Sequence, residues 1–218
     1  AAIELLHCAS LVHDDLPCFD DAATRRGKLS VHRAFGEPLA VLAGDALIVL
    51  AFETLARQAV RRPERLAPLL MTVARGVGMP AGIVAGQAWE CEPAVDLADY
   101  HRAKTGALFA AAAAAGAAAA GQPGEPWQTL GLRLGEAYQV ADDISDVAAD
   151  PARLGKPVGR DVACDRRSAA RELGLDGAVA RLERLIEAAI EAIPPCPGAG
   201  ELEASIRLQA RRFLPEEL

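Results

Sequence analysis

Apolar residues recur along this chain at helical spacing, and the apolar segments alternate with short stretches that contain Gly, Pro or clustered acids. Apolar positions three and four residues apart are typical of helices that bury one face. They predict helices over Ala1–His13, Pro38–Val60, Glu64 to about Glu90 with a break around Gly76–Gly82, Leu97–Gly121, Trp127–Ala148, Asp176–Ile193 with Asp176 as N-cap, and Glu201–Phe213. Connecting segments are expected at Asp14–Lys28, Gln122–Pro126, Asp150–Asp161 and Pro194–Gly200. The pattern predicts an all-α fold, with residues 1–218 forming a single domain.

Composition supports the helical interpretation. Of the 218 residues, 51% are hydrophobic but only 4% are aromatic, because helix-forming Ala and Leu carry most of the apolar character. The net charge of -7 argues against nucleic-acid binding, which needs clustered Lys and Arg. Since the chain starts within an apolar helical pattern and without Met, we expect the domain to be incomplete at its N-terminus.

Two further features bear on the compartment. The five cysteines form no CxxC pair and have no zinc-finger spacing, which is typical of reduced thiols in a cytoplasmic protein. The apolar run Ala107–Gly121 is too short to span a bilayer and follows the charged residues Arg102 and Lys104. We interpret it as a tightly packed core helix and predict no stable membrane insertion.

Two clusters of acidic residues each end an apolar helix. The first contains Asp14, Asp15, Asp20 and Asp21, and the second contains Asp142, Asp143 and Asp146. In the second cluster Asp142 and Asp146 share one helical face, while Asp143 points aside. Carboxylates without Cys or closely spaced His favour a hard cation such as Mg²⁺, which is typically held together with phosphate oxygens. A single cluster is equally consistent with a solvated helix end, but its recurrence favours a metal site.

Basic residues near these clusters are candidates for binding phosphate. Arg25 and Arg26 follow the first cluster, and Lys156 lies in the loop after the second. A departing anion needs its charge stabilised by metal ions and by Lys or Arg. Lys104 begins a run of residues too small and apolar for solvent, so we expect its ammonium group to snorkel or to point into a cavity.

Longer runs around these residues resemble one family, the bacterial polyprenyl diphosphate synthases. The first aspartate-rich region of that family is similar to His7–Asp21, Arg25–Lys28 and Leu42–Leu47, and the second to Tyr138–Asp146 and Leu154–Pro157. Gly86–Glu90 and Ala103–Phe109 further resemble the geranylgeranyl-type synthases of carotenoid and bacteriochlorophyll biosynthesis in purple phototrophic bacteria. The resemblance extends over nearly the whole chain.

This resemblance implies a helical bundle around a deep central cavity, a homodimer, and Mg²⁺-dependent condensation of an allylic diphosphate with isopentenyl diphosphate. Three Mg²⁺ ions are expected with substrate bound. By motif position, the metal ligands would be Asp14, Asp20, Asp142, Asp143 and Asp146. The allylic diphosphate would contact Arg25, Lys104 and Lys156, with Thr105 and Gln139 near the reacting carbon. His7 and Arg26 would bind the diphosphate of isopentenyl diphosphate.

Product length is expected to depend on the residues that precede Asp14. Short-product members of the family often carry an aromatic residue five positions before the first aspartate, where this chain has Ala9. If Ala9 faces the cavity, its small side chain implies a product longer than farnesyl diphosphate, and we expect geranylgeranyl diphosphate. The alternative is that Ala9 packs against a neighbouring helix.

The chain also departs from the family pattern. The basic segment that binds isopentenyl diphosphate in the family should lie upstream of Ala1, and the chain ends in acidic rather than basic residues. Alternative functions are a farnesyl diphosphate synthase, a class I terpene cyclase and a non-catalytic synthase subunit. A cyclase would carry an Asn/Ser/Glu-type second motif, and a non-catalytic subunit usually has degraded clusters. The intact clusters therefore favour the synthase.

Overall fold

The computed structural model describes residues 1–92, 97–148 and 169–213, and for residues 97, 98, 146, 148, 170, 171, 212 and 213 it describes the backbone alone. Within these ranges the regular secondary structure is helical apart from one small hairpin, which confirms the predicted all-α fold. The helices are α1 (Ala2–Asp14), α2 (Val31–Phe35), α3 (Glu37–Ala59), α4 (Leu66–Val77), α5 (Ile83–Trp89), α6 (Leu97–His101), α7 (Ala107–Ala119), α8 (Glu125–Ala148), α9 (Ala169–Glu191) and α10 (Ala199–Phe213).

The helices pack around two hydrophobic clusters. α1 packs against α3, α4 against α7, α7 against α8, and α8 against α9. The cluster between α1, α3, α4 and α7 contains Ala2, Leu6, Ala51, Val73 and Ala115. The cluster between α8, α9 and α10 contains Leu130, Val140, Ile144, Leu182 and Ile206, among others. Because Ala supplies so many of these contacts, the helix axes can approach closely, as the Ala-rich composition suggested.

The prediction of one continuous helix over Leu97–Gly121 is wrong, and the interruption affects the site. A wide π-type turn over Arg102–Gly106 separates α6 from α7. Two glycines on neighbouring helices pack against this turn: a Cβ on Gly86 would lie 2.5 Å from the Lys104 backbone nitrogen, and one on Gly135 would lie 2.7 Å from Gly106 Cα. Such turns widen a helix by one residue and often occur at functional sites.

Other differences from the predicted elements are small. The expected irregular segment after α1 contains a two-stranded hairpin, β1 (Thr24–Arg25) with β2 (Lys28–Leu29). The helix predicted to start at Asp176 begins at Ala169, and its backbone is non-helical at Gly174. Asp176 is therefore not the N-cap of this helix. The break expected within Glu64–Glu90 is confirmed by the gap between α4 and α5. The loop predicted at Asp150–Asp161 lies outside the described residues.

Helix α3 exposes much of its apolar surface. By length and composition it is the one described helix that could cross a membrane, and 17% of its most apolar window is buried. Its exposed side chains include Leu39, Leu42 and Val49, which are 55%, 61% and 67% exposed. With Ala46 these positions follow the three- and four-residue spacing of a helix seam. This side of α3 is therefore suited to packing against another apolar surface.

Candidate active site

The hairpin after α1 directs Arg25 back onto the first acidic cluster. Its two turn residues, Arg26 and Gly27, have φ of 52° and 75°, and two positive φ values in a two-residue turn match the right-handed twist of paired strands. Arg25 Nε and Nη2 donate to Asp15 Oδ1 at 2.9 and 2.5 Å, and Nη2 lies 3.4 Å from Asp14 Oδ2. Burial alone would lower the pKa of Arg25, but the hydrogen bond to Asp15 and the nearby carboxylates raise it.

Asp14 ends α1 in a position where its charge is poorly compensated. Its Oδ1 is buried and accepts no hydrogen bond within the described part of the chain. Burial raises the pKa of Asp14 most, and the charges of Asp20 and Glu90 raise it further, although Lys104 and Arg25 lower it. The backbone N–H of Asp20 donates to the Asp14 carbonyl at 3.0 Å, which returns Asp20 to the end of α1. A cation would relieve the unfavourable charge of Asp14.

The π-type turn places Lys104 and Thr105 beside this aspartate. Lys104 Nζ lies 3.6 Å from Asp14 Oδ1 and donates to Glu90 Oε1 at 2.5 Å. Thr105 Oγ1 donates to Gln139 Oε1 on α8 at 3.2 Å. Both turn residues line a cavity of about 420 Å³, which agrees with the second of the two alternatives expected for Lys104, snorkelling or pointing into a cavity.

This cavity runs along α1 and is largely apolar. Its α1 lining extends from Asp14 to Ile3, which are about 16 Å apart at 1.5 Å per helical residue. His7 and Ser10 lie on the same face. The remaining wall is mainly hydrophobic, with Leu11, Ile83, Leu108, Phe109, Ala112 and Tyr138. Glu4, whose side chain is exposed, also lines the cavity beside Ile3, at the end away from Asp14 and Lys104. Apart from Glu4, the charged groups lie at one end of an apolar cavity, which suits a ligand with an anionic head and a hydrocarbon tail.

The second acidic cluster has a different environment. Asp142 is half-buried on α8, whereas Asp143 is 4% exposed. Asp143 Oδ1 accepts a hydrogen bond from Gln139 Nε2 at 3.1 Å, and Oδ2 accepts one from the backbone N–H of Ala169 at 2.7 Å. These bonds join the end of α8 to the start of α9 and orient the amide that faces Thr105. Asp143 thus points aside, as the helical spacing predicts, and its place among the metal ligands stays a prediction.

The described residues fit a hard cation only in combination with further ligands. Within residues 1–92, 97–148 and 169–213, no three His, Cys, Asp or Glu side chains converge on a common metal position. Mg²⁺ typically takes one or two carboxylates and completes its shell with water and phosphate oxygens. The buried, unbonded Oδ1 of Asp14 suits such a partial site. Asp14, Asp20 and Asp142, with Asp143 and Asp146 in support, stay the predicted ligands.

Some predicted residues lie away from the cavity or outside the described chain. Arg26 is exposed at the hairpin tip. Ala9 is 2% exposed but is not among the described residues that line the cavity. It shares a face of α1 with His13, whose ring fills the space that a Cβ on Gly44 of α3 would occupy. Lys156 and the side chain of Asp146 lie outside the described residues.

Two residues near the site received no role from the sequence. Glu90 accepts hydrogen bonds from Lys104, from Gln87 Nε2 at 2.8 Å, and from the hydroxyl of Tyr100. The sequence contains one clue to Glu90, because Gly86–Glu90 resembles a segment of the geranylgeranyl-type synthases. A lone Glu at a helix end usually faces solvent, so no role was assigned to it. Tyr100 carries no motif that would have identified it.

Comparison with known proteins now decides the family. Residues 1–193 match the family model for polyprenyl synthetase. The chain belongs to the polyprenyl synthetase family. The predicted family and the prediction of a prenyltransferase enzyme are thereby confirmed.

Individual members of the polyprenyl synthetase family agree with this assignment. The chain is 54% identical over 217 residues to geranylgeranyl diphosphate synthase from Cereibacter sphaeroides, covering 100% of this chain and 75% of the relative. Among solved structures, a geranyltransferase from Helicobacter pylori complexed with magnesium and isoprenyl diphosphate has a TM-score of 0.84 and 32% identity, over 97% of this chain and 73% of that one. A geranylgeranyl pyrophosphate synthetase from Pyrococcus horikoshii has a TM-score of 0.79 and 30% identity, over 99% and 78%.

Proposed function

We propose that this polyprenyl synthetase makes geranylgeranyl diphosphate from an allylic diphosphate and isopentenyl diphosphate in a Mg²⁺-dependent reaction. The observation that carries the proposal is the meeting of Asp14, Lys104 and Thr105 at one end of a long apolar cavity. An allylic diphosphate has the matching form, with a charged head and a hydrocarbon tail. The similarity to named geranylgeranyl diphosphate synthases supports the choice of product.

The chain's own residues have distinct roles in this proposal. Arg25 and Lys104 bind the allylic diphosphate and offset its charge as the bond between the allylic carbon and oxygen breaks. Thr105 and Gln139 place oxygen atoms near the carbon on which positive charge develops. His7 lines the same cavity and binds the diphosphate of isopentenyl diphosphate, together with Arg26. Lys156 is assigned to the allylic diphosphate by its motif alone.

The reaction then needs no protein nucleophile. The isopentenyl double bond attacks the allylic cation and forms the new carbon–carbon bond. A proton leaves the condensed cation, and the departing diphosphate accepts it. Mg²⁺ held by Asp14, Asp20 and Asp142 supplies Lewis-acid stabilisation of the leaving diphosphate when bound, and we propose three ions by analogy with the family. The apolar cavity walls keep water from the cation, which would otherwise be hydrolysed.

A product assay on the full-length protein tests this function. Labelled isopentenyl diphosphate is incubated with Mg²⁺ and with dimethylallyl, geranyl or farnesyl diphosphate, and the products are separated by chain length. We expect geranylgeranyl diphosphate. A product that stops at farnesyl diphosphate would favour the shorter-chain synthase, and a cyclic hydrocarbon would indicate a terpene cyclase. Absence of turnover without a partner would indicate a non-catalytic subunit.

Two substitutions on α1 test which residue limits product length. Ala9 was predicted from the sequence, but it is not among the described residues that line the cavity, whereas Ser10 is. If the cavity wall sets product length, Ser10→Phe shortens the product toward farnesyl diphosphate. An equal or larger effect of Ala9→Phe would restore the role assigned to Ala9.

We also propose that the exposed face of α3 pairs with a second copy of the chain. Its seam of Leu39, Leu42, Ala46 and Val49 has the spacing at which two antiparallel or parallel helices interlock. Light scattering after size exclusion should give a dimer, and Leu42→Glu should shift it toward monomer. Val60→Glu, at a position that is 76% exposed and lies past the C-terminal end of α3, serves as the control. Co-sedimentation of the protein with lipid vesicles would instead assign this face to a membrane surface.

A further inference from the structure

The ammonium group of Lys104 is shared unequally between two carboxylates. Its Nζ lies 2.5 Å from Glu90 Oε1 but 3.6 Å from Asp14 Oδ1. The shorter distance is a charge-assisted hydrogen bond, and the longer one exceeds hydrogen-bonding distance. The side chains are well shielded, with 24% of Lys104, 18% of Glu90 and 13% of Asp14 exposed. Lys104 therefore pairs with Glu90 and leaves Asp14 Oδ1 without a hydrogen bond in the described chain.

Neutral donors hold Glu90 in this position. Gln87, three residues earlier on α5, donates from Nε2 to Glu90 Oε2 at 2.8 Å. The hydroxyl of Tyr100 donates to Oε1, and the Tyr100 ring lies 5.7 Å from Lys104 Nζ. The ring and the carboxylate thus both attract the ammonium group of Lys104. Since both oxygens of Glu90 accept hydrogen bonds, the carboxylate is fixed relative to Lys104.

We propose that Glu90 is a positioning residue that draws Lys104 away from Asp14 and so keeps Asp14 Oδ1 open to a cation. The inference rests on the proposed function, in which Asp14 binds Mg²⁺. A shielded ammonium group takes an anionic partner, because leaving it unpaired is costly. Without Glu90 the nearest described carboxylate is Asp14, which Lys104 would reach by moving less than the length of one bond. An incoming cation would then have to displace Lys104.

Binding of Mn²⁺ in the presence of inorganic diphosphate, followed by electron paramagnetic resonance, tests this inference without relying on turnover. We expect Glu90→Gln to raise the Kd for Mn²⁺ about fivefold or more, within the range of coupling between contacting residues. Glu90→Asp, which keeps the charge but shortens the reach, should raise the Kd less. Glu92→Gln removes the same charge from an exposed position two residues away and should leave the Kd unchanged.

A double-mutant cycle separates positioning from a general loss of negative charge. If Glu90 acts through Lys104, Glu90→Gln should have little effect on Mn²⁺ binding in a Lys104→Ala background. An undiminished effect there would overturn the inference and assign Glu90 a direct electrostatic role. A Glu90→Gln protein that binds Mn²⁺ as wild type does would overturn it too. Wild-type protein that neither binds Mn²⁺ nor forms prenyl product would overturn the proposed function itself.

Discussion

The two acidic clusters have similar sequences but hold their carboxylates in different ways. In the first, Asp14 lies beside the cations Arg25 and Lys104 and keeps one buried oxygen without a hydrogen bond among the described residues. In the second, each oxygen of Asp143 accepts a hydrogen bond from a neutral donor, one from the amide of Gln139 and one from the backbone N–H of Ala169. Similar acidic motifs can therefore differ in how their carboxylates are satisfied. On the proposed function, Asp14 binds a cation at some cost in stability, whereas the hydrogen bonds of Asp143 support the packing of α8 against α9.

The largest expected effect is on activity when Asp14 loses its charge. Asp14→Asn should lower kcat for condensation by about two to three orders of magnitude, the cost of removing one group that stabilises a developing charge. The measurement is steady-state turnover at saturating Mg²⁺. Asp21→Asn is the matched control, since Asp21 belongs to the same cluster but pairs with the exposed Arg33. Equal losses in both variants would show that overall negative charge, not Asp14, supports activity.

The packing that holds the turn carrying Lys104 against α5 can be broken without touching a charged group. In Gly86→Ala the new Cβ would lie 2.5 Å from the Lys104 backbone nitrogen, so the turn must shift. We expect a loss of about 1–3 kcal/mol of stability, as for overpacking elsewhere, and a raised KM for the allylic diphosphate. Gly116→Ala, where nothing lies within 4 Å of the added Cβ, should be neutral or slightly stabilising. An unchanged KM in Gly86→Ala would show that this packing does not position Lys104 for the allylic diphosphate.

Asp143→Asn tests whether Asp143 contributes to the stability of the fold rather than to metal binding. An amide can accept only one of the two hydrogen bonds, so the other donor is left unpaired at a cost of about 1–3 kcal/mol. At roughly 2–4 °C per kcal/mol for a domain of this size, thermal unfolding should shift downward by several degrees. Mn²⁺ affinity should change little. A large loss of Mn²⁺ affinity with unchanged melting would instead make Asp143 a metal ligand.

The smallest expected effect is a gain in stability in Asp14→Asn, opposite in sign to the loss expected in Asp143→Asn. This gain should depend on pH. Burial, with the charges of Asp20 and Glu90, raises the pKa of Asp14 above its unfolded value. The folded state then binds a proton more readily, so Asp14 begins to cost stability as the pH rises above its unfolded pKa and costs the full amount above its raised pKa. Asp14→Asn should therefore melt at a higher temperature than wild type near pH 7. This difference should shrink as the pH falls through that raised pKa; a gap that widens on acidification would reverse the assigned sign.

Much of this organisation could be predicted from the sequence, because helices with one apolar face leave a clear period. The bounds of α1 and α3 lie within one residue of those predicted. The acidic clusters at the ends of α1 and α8 were also visible as residue patterns. The helical period and the acidic clusters both involve residues close together in the sequence. They can therefore be recognised without knowing which helices pack together.

The features that were missed depend on contacts between distant segments. The π-type turn at Lys104 leaves the apolar period nearly unchanged, and it depends on the close approach of Gly86 and Gly135. The burial of Asp143 depends on a partner 26 residues later, Ala169. Ala9 was assigned by motif position, and its role in product length stays a prediction; counting along α1 places His7 and Ser10 on the face of Asp14.

A crystal structure of the full-length protein with Mg²⁺ and an unreactive allylic diphosphate analogue tests the central claim most directly. We expect Mg²⁺ about 2.1 Å from Asp14 Oδ1, with Lys104 and Arg25 on the diphosphate. The hydrocarbon tail should lie along α1 toward Ile3, and Asp143 should still accept its hydrogen bond from Ala169. A diphosphate bound elsewhere, with Asp14 Oδ1 instead paired directly to Lys104, would contradict this claim.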